Sequence, residues 1–183
     1  MRKKHHWKVI SVFAIIIVGF LLIYVRNKSG EDAYREGWEY EKGLGNLPDY
    51  ANAIRCYQVA AAIGHIEAQK HLAYIYENGL GVGRDIDAAV SWYKKAAGNG
   101  DYYSAAKIGL LLSDKDNKND DFVEADKWLT IAIEHGEKNL AENRRDYLET
   151  AMTPEDIMRA RIMAKKFNAS PNHWKFKQFL MPS

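Results

Sequence analysis

The feature that most limits what this chain can fold into is a block of about 36 residues that recurs three times, without insertion or deletion, between Asp32 and Gly136. Small residues and aromatics carry the recurrence: Gly37, Ala73 and Gly109; Tyr40, Tyr76 and Leu112; Asp49, Asp85 and Asp121; Ala53, Ala89 and Ala125; Cys56, Trp92 and Trp128; Ala60, Ala96 and Ala132; Gly64, Gly100 and Gly136. A period of this length marks units that each leave one face for a neighbour to cover. The chain therefore reads as a solenoid, not as a globular catalytic fold.

Each block carries its own folding instructions. In the middle copy Ala68, Leu72, Ala73 and Tyr76 fall at helical spacing before the glycine-rich break 78–83, and Ala88, Ala89, Trp92, Tyr93, Ala96 and Ala97 repeat that spacing after it. The block is a helical hairpin. Asp49, Asp85 and Asp121 stand where a carboxylate caps the second helix, and Gly64, Gly100 and Gly136 stand where a left-handed residue ends it. The Gly37, Ala73 and Gly109 column lets two helix backbones approach closely. Ala141 to Phe167 reads as a fourth, atypical hairpin broken at Thr153-Pro154, with Thr153 capping a closing helix from Pro154 to Phe167.

The stretch from Ala68 to Gly100, AQKHLAYIYENGLGVGRDIDAAVSWYKKAAGNG, resembles the Sel-one-like repeat (SLR), a relative of the tetratricopeptide repeat. The first copy departs at Glu36, where a leucine belongs, and at Cys56, where a tryptophan belongs. The third replaces the glycine-rich loop with residues 115–120. The resemblance implies an all-α fold, a right-handed α-solenoid of about four hairpins, which is expected to follow one N-terminal transmembrane helix. Its expected divisions are a basic N-terminus 1–8, an anchor 9–25, a linker 26–31, repeats 32–67, 68–103 and 104–139, a cap hairpin 140–167 and a tail 168–183.

The anchor expectation rests on Val9 to Val25, an uncharged run with eleven Val, Ile or Leu residues, which as a helix covers roughly 25 Å of hydrocarbon. Trp7 and Tyr24 flank it, and Arg2, Lys3, Lys4 and Lys8 precede it, which keeps the N-terminus cytoplasmic. A cleaved signal peptide is the alternative. The run exceeds the usual apolar length of one and ends without a small-residue cleavage pattern. The expected location is the bacterial inner membrane, single-pass, with the repeats in the periplasm.

Four of the 26 basic residues precede the anchor, leaving 22 against 24 acidic ones, so no net basic field remains to bind nucleic acid. The lone cysteine, Cys56, rules out an internal disulfide. Its expected role is to fill the tryptophan column with a smaller apolar group. None of His5, His6, His65, His71, His135 and His173 pairs at metal-ligand spacing, and His65, following a helix-ending glycine, is expected to be exposed. Gly79 to Gly83 lack the Lys-Ser/Thr of a phosphate loop. Residues 114–121 fail the calcium-loop pattern at Lys118, Asn119 and Ala125. The chain is expected to be no enzyme, to hold no cofactor or metal and to take no small-molecule substrate.

What remains is a surface for binding. In tetratricopeptide-like solenoids the first helix of each pair lines the concave face, and by register Tyr34, Trp38, Glu41, Lys70, Tyr74, Glu77, Tyr103 and Leu110 fall there. Four aromatics in one groove exceed what packing requires and suit a protein partner. The tail holds Trp174, Phe176, Phe179 and Leu180 between and beside Lys175 and Lys177; it either covers the end of the solenoid or binds a partner or membrane surface. Exported relatives include adaptors and immunity proteins that neutralise effectors of type VI secretion, phospholipases among them. The resemblance therefore implies a toxic effector as partner in an immunity role or, in the rival class, a regulatory scaffold role for an envelope enzyme or signalling complex.

Overall fold

A computed structural model describes the backbone of residues 3–44, 47–114 and 121–170; within the first helix the side chains of residues 3–17, 20, 23, 24, 26 and 27 lie outside the description. The described residues hold eight α-helices and no strand: α1 (Lys3–Lys42), α2 (Tyr50–Ala62), α3 (Ile66–Asn78), α4 (Ile86–Gly98), α5 (Tyr102–Leu112), α6 (Phe122–Glu134), α7 (Lys138–Glu149) and α8 (Pro154–Asn168). They fall into two compact units, residues 1–65 with the hairpin α1–α2, and residues 66–183 with the hairpins α3–α4, α5–α6 and α7–α8.

The repeated aspartates and glycines act as their spacing predicts. Asp49, Asp85 and Asp121 each accept a hydrogen bond from the backbone N–H three residues on, at Asn52, Ala88 and Glu124. Gly64, Gly100 and Gly136 take φ of +94°, +93° and +104°, open to glycine without steric cost. Behind each, two N–H groups return to the helix's last carbonyls, as in His65 to Ala60 and Gly64 to Ala61, so the ends of α2, α4 and α6 are closed alike. Thr153 caps α8 through the Asp156 N–H, with Pro154 in the first turn.

Small residues set the close crossings. A Cβ at Gly109 would come within 2.5 Å of Leu129 Cγ and 3.0 Å of the Ala125 carbonyl, and one at Gly37 within 2.8 Å of the Tyr57 ring. Ala53, Ala89, Ala125, Ala60, Ala96 and Ala132 are fully buried. In the second unit Ala89, Ala125 and Ala132 meet Tyr93, Ile108, Trp128, Leu129, Ile131 and Leu148 in one apolar core. Trp128 stands edge-on to Phe167 of α8 with ring centres 4.9 Å apart, and its indole N–H donates to Glu124. Glu124 also meets Lys94 at 2.7 Å. Burial works against its charge, yet these donors hold its carboxyl down at about 2.

Two expectations change, for the linker and for His65, and the tryptophan column proves mixed. The linker expected at 26–31 is no break, because α1 runs as one helix through it. Trp92 is only half-buried, with Lys95 Nζ 3.5 Å above its ring, so the tryptophan column is not uniformly core; Cys56 is half-buried too. His65 is not exposed: its side chain stacks on Tyr34 at 4.5 Å and lies 3.0 Å from Glu31, retaining 18% of its surface. Among the described residues no helix is long and apolar enough to cross a membrane. Most side chains of Val9 to Val25, the loop residues 115–120 and the tail residues Trp174, Lys175, Phe176, Lys177, Phe179 and Leu180 lie outside the described residues.

Candidate protein-binding face

In the second unit α4 buries Tyr93 but aims its hydroxyl back at α3, where it donates to Glu77 Oε2 at 2.8 Å. Lys107 of α5 donates to the other oxygen, Oε1, at 2.5 Å. Burial and then the Glu77 charge push the Tyr93 hydroxyl well above its ordinary pKa, so it stays a proton donor. The three groups lock α3, α4 and α5 together and satisfy one another. Lys70, one helical turn before Tyr74, is held by Glu67 at 3.1 Å and Asp101 at 3.4 Å, with its Nζ 5.7 Å from the centre of the Tyr103 ring. Burial pulls the Lys70 pKa down, but the Glu67 hydrogen bond and the Asp101 charge more than offset it.

Amid these paired charges Tyr74 and Tyr103 keep 48% and 43% of their surface in solvent. Leu110, at the Tyr74 register of the next repeat, is half-buried. In chemical terms α3 and α5 offer two open phenol rings on a ground whose charges are already neutralised.

The first unit repeats the inner pair. Tyr57 of α2 is fully buried and donates to Glu41 Oε2 at 2.7 Å. Tyr34 is half-buried, 5.9 Å from the Tyr57 ring and stacked on His65. Trp38 is the open aromatic here, 39% exposed, with Lys42 Nζ 5.9 Å from its ring centre. Glu36 and Glu39 are exposed where the next repeat fully buries Leu72 and Ile75, and with Tyr40, Leu44, Leu47 and Asp49 they line an open pocket of about 450 Å³.

Of the eight residues expected on a binding face, then, Trp38, Tyr74 and Tyr103 are open, Tyr34 and Leu110 are half-buried, and Glu41, Lys70 and Glu77 are committed to partners within the protein. Sequence reasoning missed Tyr57 and Tyr93, the buried ends of those pairs, and Lys107. The signal was there: Tyr57 and Tyr93 share one register, immediately after the Cys56 and Trp92 column.

Two stretches, residues 31–65 and 66–101, match the family model described as the Sel1 repeat, and they contain the hairpin α3–α4 and the part of α1 that pairs with α2. The chain is similar to the chitin synthase regulator SKT5 of Saccharomyces cerevisiae, 37% identical over 95 residues, which cover 49% of this chain and 13% of that protein. It is also similar to the ERAD-associated E3 ubiquitin-protein ligase component HRD3 of Candida glabrata, 42% identical over 60 residues, 32% of this chain and 7% of that one. The chain thus spans about an eighth or less of the curated relatives it matches. A solved Sel1 repeat protein from Oxalobacter formigenes superposes with a TM-score of 0.56 at 26% identity, over 75% of this chain and 58% of that one. Cap chemistry, family model and fold neighbour agree that residues 31–65 and 66–101 are similar to Sel1 repeats, and the described residues are helical throughout their regular structure.

Proposed function

We propose that the chain is a non-enzymatic protein-binding protein whose open aromatics take hold of a partner. One observation carries this reading: Tyr74 and Tyr103 stand exposed where Lys70, Glu77 and Lys107 are already paired. A partner there desolvates rings and leaves no charge stranded, the arrangement in which tyrosine and tryptophan dominate binding energy.

The proposal extends to a membrane anchor at Val9 to Val25, with the repeats on the periplasmic side. The uncharged run and its basic flank support it. So do Val18, Leu21, Leu22 and Val25, the large apolar side chains described on that stretch, each more than half exposed. Within this class we favour an immunity protein that neutralises a periplasm-acting toxic effector, such as a type VI secretion phospholipase, a reading supported by the family resemblance. The likeness to SKT5, a regulator of chitin synthase, and to HRD3, a component of a ubiquitin ligase, favours a second reading: a regulatory adaptor or scaffold for an envelope enzyme or signalling complex.

Cells carrying the protein and challenged with a periplasmic toxin encoded beside its gene test the first role. Tyr74→Ala with Tyr103→Ala should retain helical circular dichroism and the melting transition while losing protection. A folded double variant that still protects would remove the aromatic face from the account. For the anchor, a reporter enzyme active only in the periplasm and fused after Ser183 should be active on a membrane-bound, full-length chain; an inactive or shortened soluble product would contradict it.

A further inference from the structure

Asp126 of α6 has no place in the binding reading, yet it is the least comfortable group among the described residues. It is fully buried, and neither carboxylate oxygen has a hydrogen-bond partner. Thr130, one turn on along the same helix face, has an unpaired buried hydroxyl as well. The helices packed on α6 are α5, α7 and α8. The charges acting on Asp126 come from α7, with Arg145 and Glu149, and from α8, with Arg161; α5 contributes none. Arg161 lies 3.1 Å from Glu149 and Arg145 Nη2 3.1 Å from Asp146, while Arg145 Nε, 3.7 Å from Glu149, is itself buried without a hydrogen-bond partner. A buried carboxylate to which no nearby cation is hydrogen-bonded is costly in its charged form.

We propose that Asp126 is a proton-operated latch on the closing hairpin: α7 and α8 seat on α6 while the Asp126 carboxyl is protonated, and loosen when it gives up its proton to solvent. The seat itself is otherwise modest in polar ties. Asn168 at the end of α8 reaches Glu134 and His135 at the end of α6, and Trp128 meets Phe167. Arg144 of α7 donates to the Ser113 hydroxyl and carbonyl after α5.

The sign follows from proton affinity. Burial, with the Glu149 charge adding to it and Arg145 and Arg161 only partly opposing it, lifts Asp126 to about 6 from an ordinary 3.8. The seated hairpin therefore binds this proton more tightly than the loosened one. Opening should grow by up to about tenfold per pH unit between the two values and level off above the higher one.

Hydrogen exchange of the full-length protein in detergent, followed by mass spectrometry and corrected for the pH dependence of the intrinsic rate, reads this directly. Protection of α7 and α8 should fall at least about tenfold from pH 4.5 to 7.5 while α3 and α4 hold theirs. Asp126→Asn should abolish that slope and protect the hairpin better than wild type at pH 7.5. A flat wild-type profile, an unchanged slope in the variant, or a variant less protected at pH 7.5 overturns the latch. Should Asp126→Asn not fold, the carboxyl's titration in the wild-type protein by carbon NMR decides: a midpoint near 6 supports the latch and one at or below 4 overturns it.

Discussion

The hairpins α3–α4 and α5–α6 are built on one backbone plan and fastened inside by different chemistry. Asp85 and Asp121 cap α4 and α6 identically, and Gly100 and Gly136 end them with the same positive φ. Where the first of these hairpins ties Tyr93 to Glu77 and Lys107, the second has Leu129 and Ser113 at the same register, and Arg144 reaches Ser113 from α7 instead. The hairpin α1–α2 sides with α3–α4, through Tyr57 and Glu41. The difference teaches that caps, terminal glycines and small crossing residues define the repeat, whereas the inner polar tie is exchangeable and the outward side chains more so. Partner choice can then be written on these faces without disturbing the fold.

The most severe way to strain that comparison is through the tryptophans. Trp128 is buried, packed against Phe167 and bonded to Glu124, so Trp128→Ala should cost about 3–5 kcal/mol in urea unfolding. Trp92, at the same register but half-buried under Lys95, should cost only about 1–2 kcal/mol when truncated. Equal losses would show that register alone dictates burial. A milder probe is Tyr93→Phe, which removes the hydroxyl bond to Glu77 while Lys107 remains; about 1.5 kcal/mol should be lost. Tyr57→Phe should lose a similar amount, and a near-zero effect at both would mean the tie does not fasten the hairpin. Smallest of all, Asp85→Ala and Asp121→Ala should each cost about 1 kcal/mol, because the two caps make the same bond. A difference between them above about 1 kcal/mol would break the claim of a shared backbone plan.

What could be read from the sequence was the local backbone chemistry. A capping aspartate, a left-handed glycine or the Thr153-Pro154 helix start is decided within four residues, and each appears where the spacing puts it. What could not be read depends on how helices face one another. Tyr93 and Glu77 are sixteen residues apart and meet only because α4 folds back on α3. Asp126 stands out only once α7 and α8 pack on α6 and it is buried. His65 follows a helix-ending glycine, a position that suggests exposure, but Tyr34 and Glu31 receive it. For the candidate face the register brought out the open aromatics Trp38, Tyr74 and Tyr103, but not that Glu41, Lys70 and Glu77 are engaged within the protein.

The central claim is that a partner protein sits on the open rings of α3 and α5, and photo-crosslinking in intact cells tests it most directly. A photoreactive amino acid placed at Tyr74, at Tyr103 or, as a control, at exposed Asp87 on α4 samples the two sides of the repeat. The account predicts one and the same crosslinked protein from positions 74 and 103 and none from position 87. Crosslinks from position 87 alone, or different proteins from 74 and 103, would contradict it.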